Sequence, residues 1–203
     1  MIKAVIFDVD GVLLDNDRVY VKAYKETGRR LGLKVPSDAE VKKNFGLVWD
    51  EILAKLYGEA DENMKKLYSE ICNSLDHEIR IMDDLEYILQ RIEQRKAIAA
   101  SKSRPALERK LGKLTMFFEV IVTREDTEKH KPEPEPLLLA CKKLRIKPEE
   151  AVYIGDAVID CQAARNAGTG FIGFLGGAAS KEDFDALKVK SVGSLKELLE
   201  VLQ

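Results

Sequence analysis

Cysteine is scarce: Cys72, Cys141 and Cys161 are the only three, and no two form a CxxC or a zinc-ligand spacing. So few and so scattered, they exclude a disulfide framework and read as buried small hydrophobes in a reducing cytoplasm. No apolar run approaches the roughly 20 residues that cross a bilayer. The N-terminus passes from one lysine straight into an apolar strand, not into a signal-peptide pattern. Neither charge sign dominates: 33 Lys and Arg face 35 Asp and Glu, a formal net charge of −2. Nucleic acid and membranes are therefore not the expected partners. Internal repeats and low-complexity segments are absent too.

What is present is a globular composition. With 45% hydrophobic and 33% charged residues, the 203-residue chain suits one sizeable domain, or a core with a small accessory domain. Its organising stretch is the first eleven residues. Lys3 to Phe7 reads as a buried parallel strand that ends abruptly in Asp8-Val9-Asp10-Gly11. Alternate strand residues point the same way, so Asp8 and Asp10 begin on one side, and a turn at Gly11 lets their oxygens converge. Two such carboxylates repel each other and resist desolvation, which a hard cation such as Mg²⁺ would relieve. A strand cap and turn would use the same residue types.

Residues 16 to 80 read as helical throughout. Helices are expected over 16–32, from Ser37 as an N-cap with Glu40 in the capping-box position to Gly46, over 49–56 and over 61–77. The pattern then alternates. Strands are expected at 97–100, 118–122, 151–154, 169–174 and 189–192, and helices at 83–94, 105–111, 135–144, 159–167 and from Ser194 to Leu202. This is the pattern of an α/β fold, a doubly wound parallel sheet. Residues 1–15 and 81–203 are expected to form that core, and 16–80 an inserted helical domain.

Ligands of such a sheet bind outside the carboxyl ends of its strands. Asp8 and Asp10, Ser101, Lys131, and Asp156 with Asp160 all fall at or just after such ends. Together they suit phosphoryl transfer. Asp8 would be the nucleophile, forming an aspartyl-phosphate, and Asp10 the general acid and then base. Mg²⁺ would be held by Asp8, Asp156 and the Asp10 backbone carbonyl. Ser101 and Lys131 would bind the phosphoryl group, with Asp160 supporting the metal or orienting Lys131.

These motifs, Asp8-Val9-Asp10-Gly11-Val12, Ser101, Lys131-Pro132 with Glu133-Pro134, and Gly155-Asp156 with Asp160, occur in the order found in the haloacid dehalogenase superfamily. The chain resembles its small-cap phosphatase branch. The resemblance implies a Rossmann-like core, with 16–80 as the cap. The Pro-rich stretch after Lys131 and the ending Ser194-Leu195-Lys196-Glu197-Leu198 most resemble phosphoglycolate-phosphatase-like members. Two positions depart from the family. The Ser101 position is often Thr and usually precedes Asn, whereas here Lys102 follows. It either adds a second cation to the phosphate site or points to solvent. Ala157 stands where a serine is frequent.

His130 reads as a loop histidine and His77 as a helix-end residue. The segment from Lys42 to Trp49 either touches substrate or gives a solvated lysine face over a Phe45 and Trp49 core. The expected activity is hydrolysis of a small phosphorylated metabolite. A phosphosugar mutase shares the aspartates. A dehalogenase has no use for an acid at Asp10, because a halide leaves without a proton. A non-catalytic receiver-like module, phosphorylated on aspartate, is disfavoured by chain length and by the early position of Asp8.

Overall fold

The computed structural model describes residues 1–202. β1 (Ala4–Phe7) is buried along its whole length, as a strand flanked on both faces must be. It lies at the centre of a six-stranded sheet with β4 (Arg95–Ala99), β5 (Val120–Val122), β6 (Ala151–Gly155), β7 (Gly170–Phe174) and β8 (Ser191–Val192). The order is β5-β4-β1-β6-β7-β8, and every pairing is parallel. The chain builds outward from β1 to β4 and β5, then crosses back to β6 on the other side. β1 is thus the point where strand order reverses, and its carboxyl end opens onto a crevice.

The two-residue alternation of β1 divides the core. Val5 and Phe7 face a layer that includes Ile88, Leu107 and Leu198, from α5 (Leu85–Arg91), α6 (Arg104–Leu111) and α10 (Leu195–Leu202). Ala4 and Ile6 face Leu137, Ala140, Ala163 and Ala164, from α7 (Glu135–Leu144) and α8 (Val158–Ala167).

Residues between β1 and β4 form a separate helical layer. It comprises α1 (Asp17–Arg30), α2 (Asp38–Lys42), α3 (Trp49–Tyr57) and α4 (Glu62–Leu75). Their facing sides share a core of their own, with Tyr24, Leu53, Tyr68 and Ile71 at its centre. Ser37 and Glu40 form the expected capping box, although α2 stops at Lys42, well short of Gly46. The chain enters and leaves this layer through an antiparallel ribbon of β2 (Leu14–Asp15) and β3 (Arg80–Ile81), closed by Arg80 Nη2 at 3.2 Å from Asp15 Oδ2. Strands of two residues leave no periodicity in a sequence, so this ribbon was not expected.

A further helix, α9 (Lys181–Ala186), occupies a stretch without an expected element. Its signal was present: Ser180 and Asp183 form a capping box. The helix seats the fully buried Phe184 so close to β7 that a Cβ on Gly173 would lie 2.6 Å from its ring. His77 lies in a single 3₁₀ turn after α4 rather than in the helix itself.

Candidate active site

The end of β1 carries a dense group of charges, with Asp8, Asp156 and Asp160 gathered near Lys131. Asp8 donates its backbone N–H to Ile154 O, which fixes it in the sheet. Its Oδ1 accepts the Val9 N–H at 2.8 Å and its Oδ2 accepts Lys131 Nζ at 2.8 Å. Lys131 also donates to Asp160 Oδ1 at 2.7 Å and to the Tyr153 hydroxyl at 3.1 Å. It is only 2% exposed, and the surrounding carboxylates hold its pKa well above the usual lysine range despite burial. Asp160 places its other oxygen on the Ala157 N–H at 3.0 Å. With both oxygens occupied, it orients Lys131. Gly155 makes room for it, since a Cβ there would lie 2.5 Å from the Asp160 Cβ.

Asp156 follows β6 and is buried beside this pair. Its Oδ2 accepts the Ala178 N–H at 2.8 Å. Backbone encloses it from two sides: a Cβ on Gly11 would fall 2.4 Å from Oδ2, and one on Gly177 1.9 Å. Asp8, Asp156 and Asp160 each offer an oxygen within 4.8 Å of the others. Three carboxylates against one lysine leave a buried excess of two negative charges. Burial, opposed by Lys131 and reinforced by Asp160, pushes the Asp8 carboxyl up to about 7. Burial and the charges of Asp160 and Asp8 raise Asp156 well above the carboxylate range. An all-oxygen donor set short of two positive charges fits a hard divalent cation, which these carboxylates would hold.

Asp10 faces the other way. Its Oδ1 accepts Lys102 Nζ at 2.8 Å and an N–H of the Asn16 side chain. Its Oδ2 has no hydrogen bond among the described residues. The Asp10 side chain is thus outside the acidic cluster. Lys102 is buried, so the reading that it points to solvent is corrected. Asp10 and the Tyr20 hydroxyl hold it inside the protein. The Ser101 hydroxyl does not point at the cluster's lysine or carboxylates. It donates to Gly46 O in the helical layer at 2.8 Å, from a position two residues beyond the end of β4.

The structure also adds members that motif reading missed. Asn16 is buried at the head of α1, where it makes no cap bond; its Oδ1 accepts the Gly11 N–H while its amide holds Asp10. Tyr153, inside β6, bridges Lys131 and Ala99 O. An Asn at a helix start reads as a cap and a Tyr in a strand as core, so neither carried a signal. Asp8, Asp10, Ser101, Lys102, Lys131 and Asp156 line a cavity of about 420 Å³ between the sheet and the helical layer, bounded on the helical side by Phe45, Gly46, Leu47 and Trp49 among others. Asn16, Tyr153 and Asp160 are outside its wall and reach it through their hydrogen bonds to Asp10 and Lys131. His130 is not in its wall.

The haloacid dehalogenase-like hydrolase family matches residues 5–174 of the chain. The chain belongs to this family. A Clostridium perfringens relative, provisionally named pyrophosphatase PpaX, is 34% identical over 174 residues, or 83% of this chain and 81% of its own. The pyrophosphatase PpaX of Bacillus thuringiensis is 30% identical over 176 residues, 83% of this chain and 81% of its own. Among solved structures, a Lactobacillus plantarum family member provisionally named phosphoglycolate phosphatase superposes with a TM-score of 0.83 at 27% identity. That match covers 99% of both chains. The chain is thus a hydrolase built on the haloacid dehalogenase α/β fold, as its motifs led one to expect.

Proposed function

We propose that this hydrolase cleaves a small phosphorylated metabolite through an aspartyl-phosphate on Asp8, with Mg²⁺ as cofactor. The observation that carries the reading is the buried cluster of Asp8, Asp156 and Asp160 around the single cation of Lys131. Its geometry suits a nucleophile beside fixed positive charge. Asp8 and Asp156, with the Asp10 carbonyl, would hold the metal, whose chemistry is to neutralise phosphoryl oxygens and lower the nucleophile's pKa.

The protein's own groups account for the remaining chemistry. An Asp8 oxygen attacks phosphorus as the ester P–O bond breaks, and Asp10 gives its proton to the departing oxygen. Asp10 then takes a proton from the water that attacks the phosphoaspartate, which releases phosphate and frees Asp8. The Asp10 Oδ2 is the oxygen suited to carry that proton, since Oδ1 is held by Lys102 and Asn16. Lys131 stabilises charge on the phosphoryl oxygens. Ser101 and Lys102 contribute further donors once a ligand competes for them.

Residues 16–80 would act as the cap over a core of 1–15 and 81–203, excluding water from the cavity. The relatives' names fit this chemistry: pyrophosphate and phosphoglycolate both present a phosphoryl group to such a site. The three cysteines are free, in keeping with a cytoplasmic setting. The test is p-nitrophenyl phosphate turnover with and without EDTA. Hydrolysis is expected that EDTA removes and Asp8→Asn abolishes; turnover that survives Asp8→Asn would sink the assignment.

A further inference from the structure

The cavity wall contains four cationic side chains, Lys102, Arg109, Arg124 and Lys131, and three of them are committed. Lys131 is held by Asp8 and Asp160 and Lys102 by Asp10. Arg109 reaches Asp76 at 3.4 Å. The side chain of Arg124 donates no hydrogen bond among the described residues. It forms a long ion pair with Asp50, Nη2 to Oδ2 at 3.8 Å, which is beyond hydrogen-bond reach and leaves its N–H fork unengaged.

Two features hold that guanidinium in place. The Arg124 backbone N–H donates to Lys102 O at 3.2 Å, so the residue starts beside the cation that grips Asp10. Its guanidinium then lies over the Trp49 ring, 5.6 Å from the centroid. Trp49 stacks on Tyr68 at 5.5 Å and 12°, and Tyr68 on Tyr24 at 4.5 Å. The arginine therefore rests on a rigid aromatic wall, at the seam between sheet and helical layer. A planar fork of N–H donors held still suits a carboxylate or a phosphoryl group, which it binds by paired hydrogen bonds. A neutral leaving group would leave the N–H donors of this half-buried fork without hydrogen-bond acceptors, which is costly away from water.

We infer that Arg124 is a specificity-determining residue: it reads a second anionic group on the substrate, carboxylate or phosphoryl, beyond the group that reacts at Asp8. The inference deepens the phosphoesterase reading and rests on it. The test uses three inert phosphonates in calorimetric titrations at fixed free Mg²⁺. Phosphonoacetate carries a carboxylate, methylenediphosphonate a second phosphoryl group, and propylphosphonate neither. The wild type is expected to bind at least one of the first two about ten-fold or more tighter than propylphosphonate. The arm that gains shows which anion is read. Arg124→Gln should erase the preference and Arg124→Lys keep part of it, because a point charge replaces the fork. The fluorescence of Trp49, the single tryptophan, should respond to the favoured ligand. Equal wild-type affinity for all three, or a preference that survives Arg124→Gln, would overturn the inference. Turnover of p-nitrophenyl phosphate measured alongside separates the two readings. Turnover without an anion preference sinks Arg124 alone; a preference without turnover sinks the phosphatase and leaves the anion site.

Discussion

Lys131→Met keeps the stem of the side chain and removes its charge. Asp8 Oδ2 and Asp160 Oδ1, 2.8 and 2.7 Å from the ammonium, then face each other in a buried site without compensation. Removing one partner of a buried ion pair costs about 3–5 kcal/mol. A second route gives a similar figure. The variant can escape by binding a proton, and each pH unit above the ordinary aspartate value of about 3.9 makes that escape about 1.4 kcal/mol dearer. The penalty is therefore about 4 kcal/mol near pH 7 and about 1–2 kcal/mol near pH 5. The direction follows from linkage. A carboxyl whose folded-state pKa is raised contributes stability below its unfolded value and loses it as pH rises through the folded one. Urea unfolding of wild type and variant at pH 5 and pH 8, both in EDTA, reads the difference. A penalty below about 1 kcal/mol at pH 8, or one that does not change with pH, would refute the idea that Lys131 balances this cluster.

Three further perturbations probe other parts of the site and its supports. Gly177→Ala puts a methyl group where Asp156 Oδ2 lies 1.9 Å away; Mg²⁺ affinity by calorimetry should fall about ten-fold or more, as changes that displace a metal ligand do, and an unchanged affinity would move the metal elsewhere. Gly46 has φ +94°, and a Cβ on it would lie 2.2 Å from Ile159 Cγ2, so Gly46→Ala should unseat the helical layer, raise KM and speed proteolysis of the β2–β3 ribbon. Wild-type protease resistance in that variant would count against this contact as the seat. Burial raises the Asp126 carboxyl, but the Thr123 N–H and hydroxyl and Arg104 outweigh it and hold it down at about 2. That lowered value contributes stability above the unfolded pKa and loses it as pH falls through about 2. With the side chain 23% exposed, Asp126→Asn should cost about 1–2 kcal/mol at pH 7, with the gap closing in acid denaturation near pH 2; a gap unchanged at pH 2 would show that the carboxylate's charge is not its source.

Local chemistry in the sequence determined much of this protein. Apolar runs that end in Asp8, Asp156 and their neighbours announced both the parallel strands and the rim where charge collects, because strand ends and turn residues are written within a few positions of each other. The helices α1, α3 and α4 and the Ser37–Glu40 cap were legible for the same reason, and membership of the haloacid dehalogenase-like hydrolases followed from the motifs in order. Tertiary structure alone decided which partner each long polar side chain takes. Lys102 meets Asp10 across 92 positions and Ser101 meets Gly46 across 55; no local pattern encodes such pairs. Asn16, Tyr153 and Arg124 became parts of the site only when the fold brought distant segments together, since the energy of a buried charge depends on neighbours that the chain order does not name.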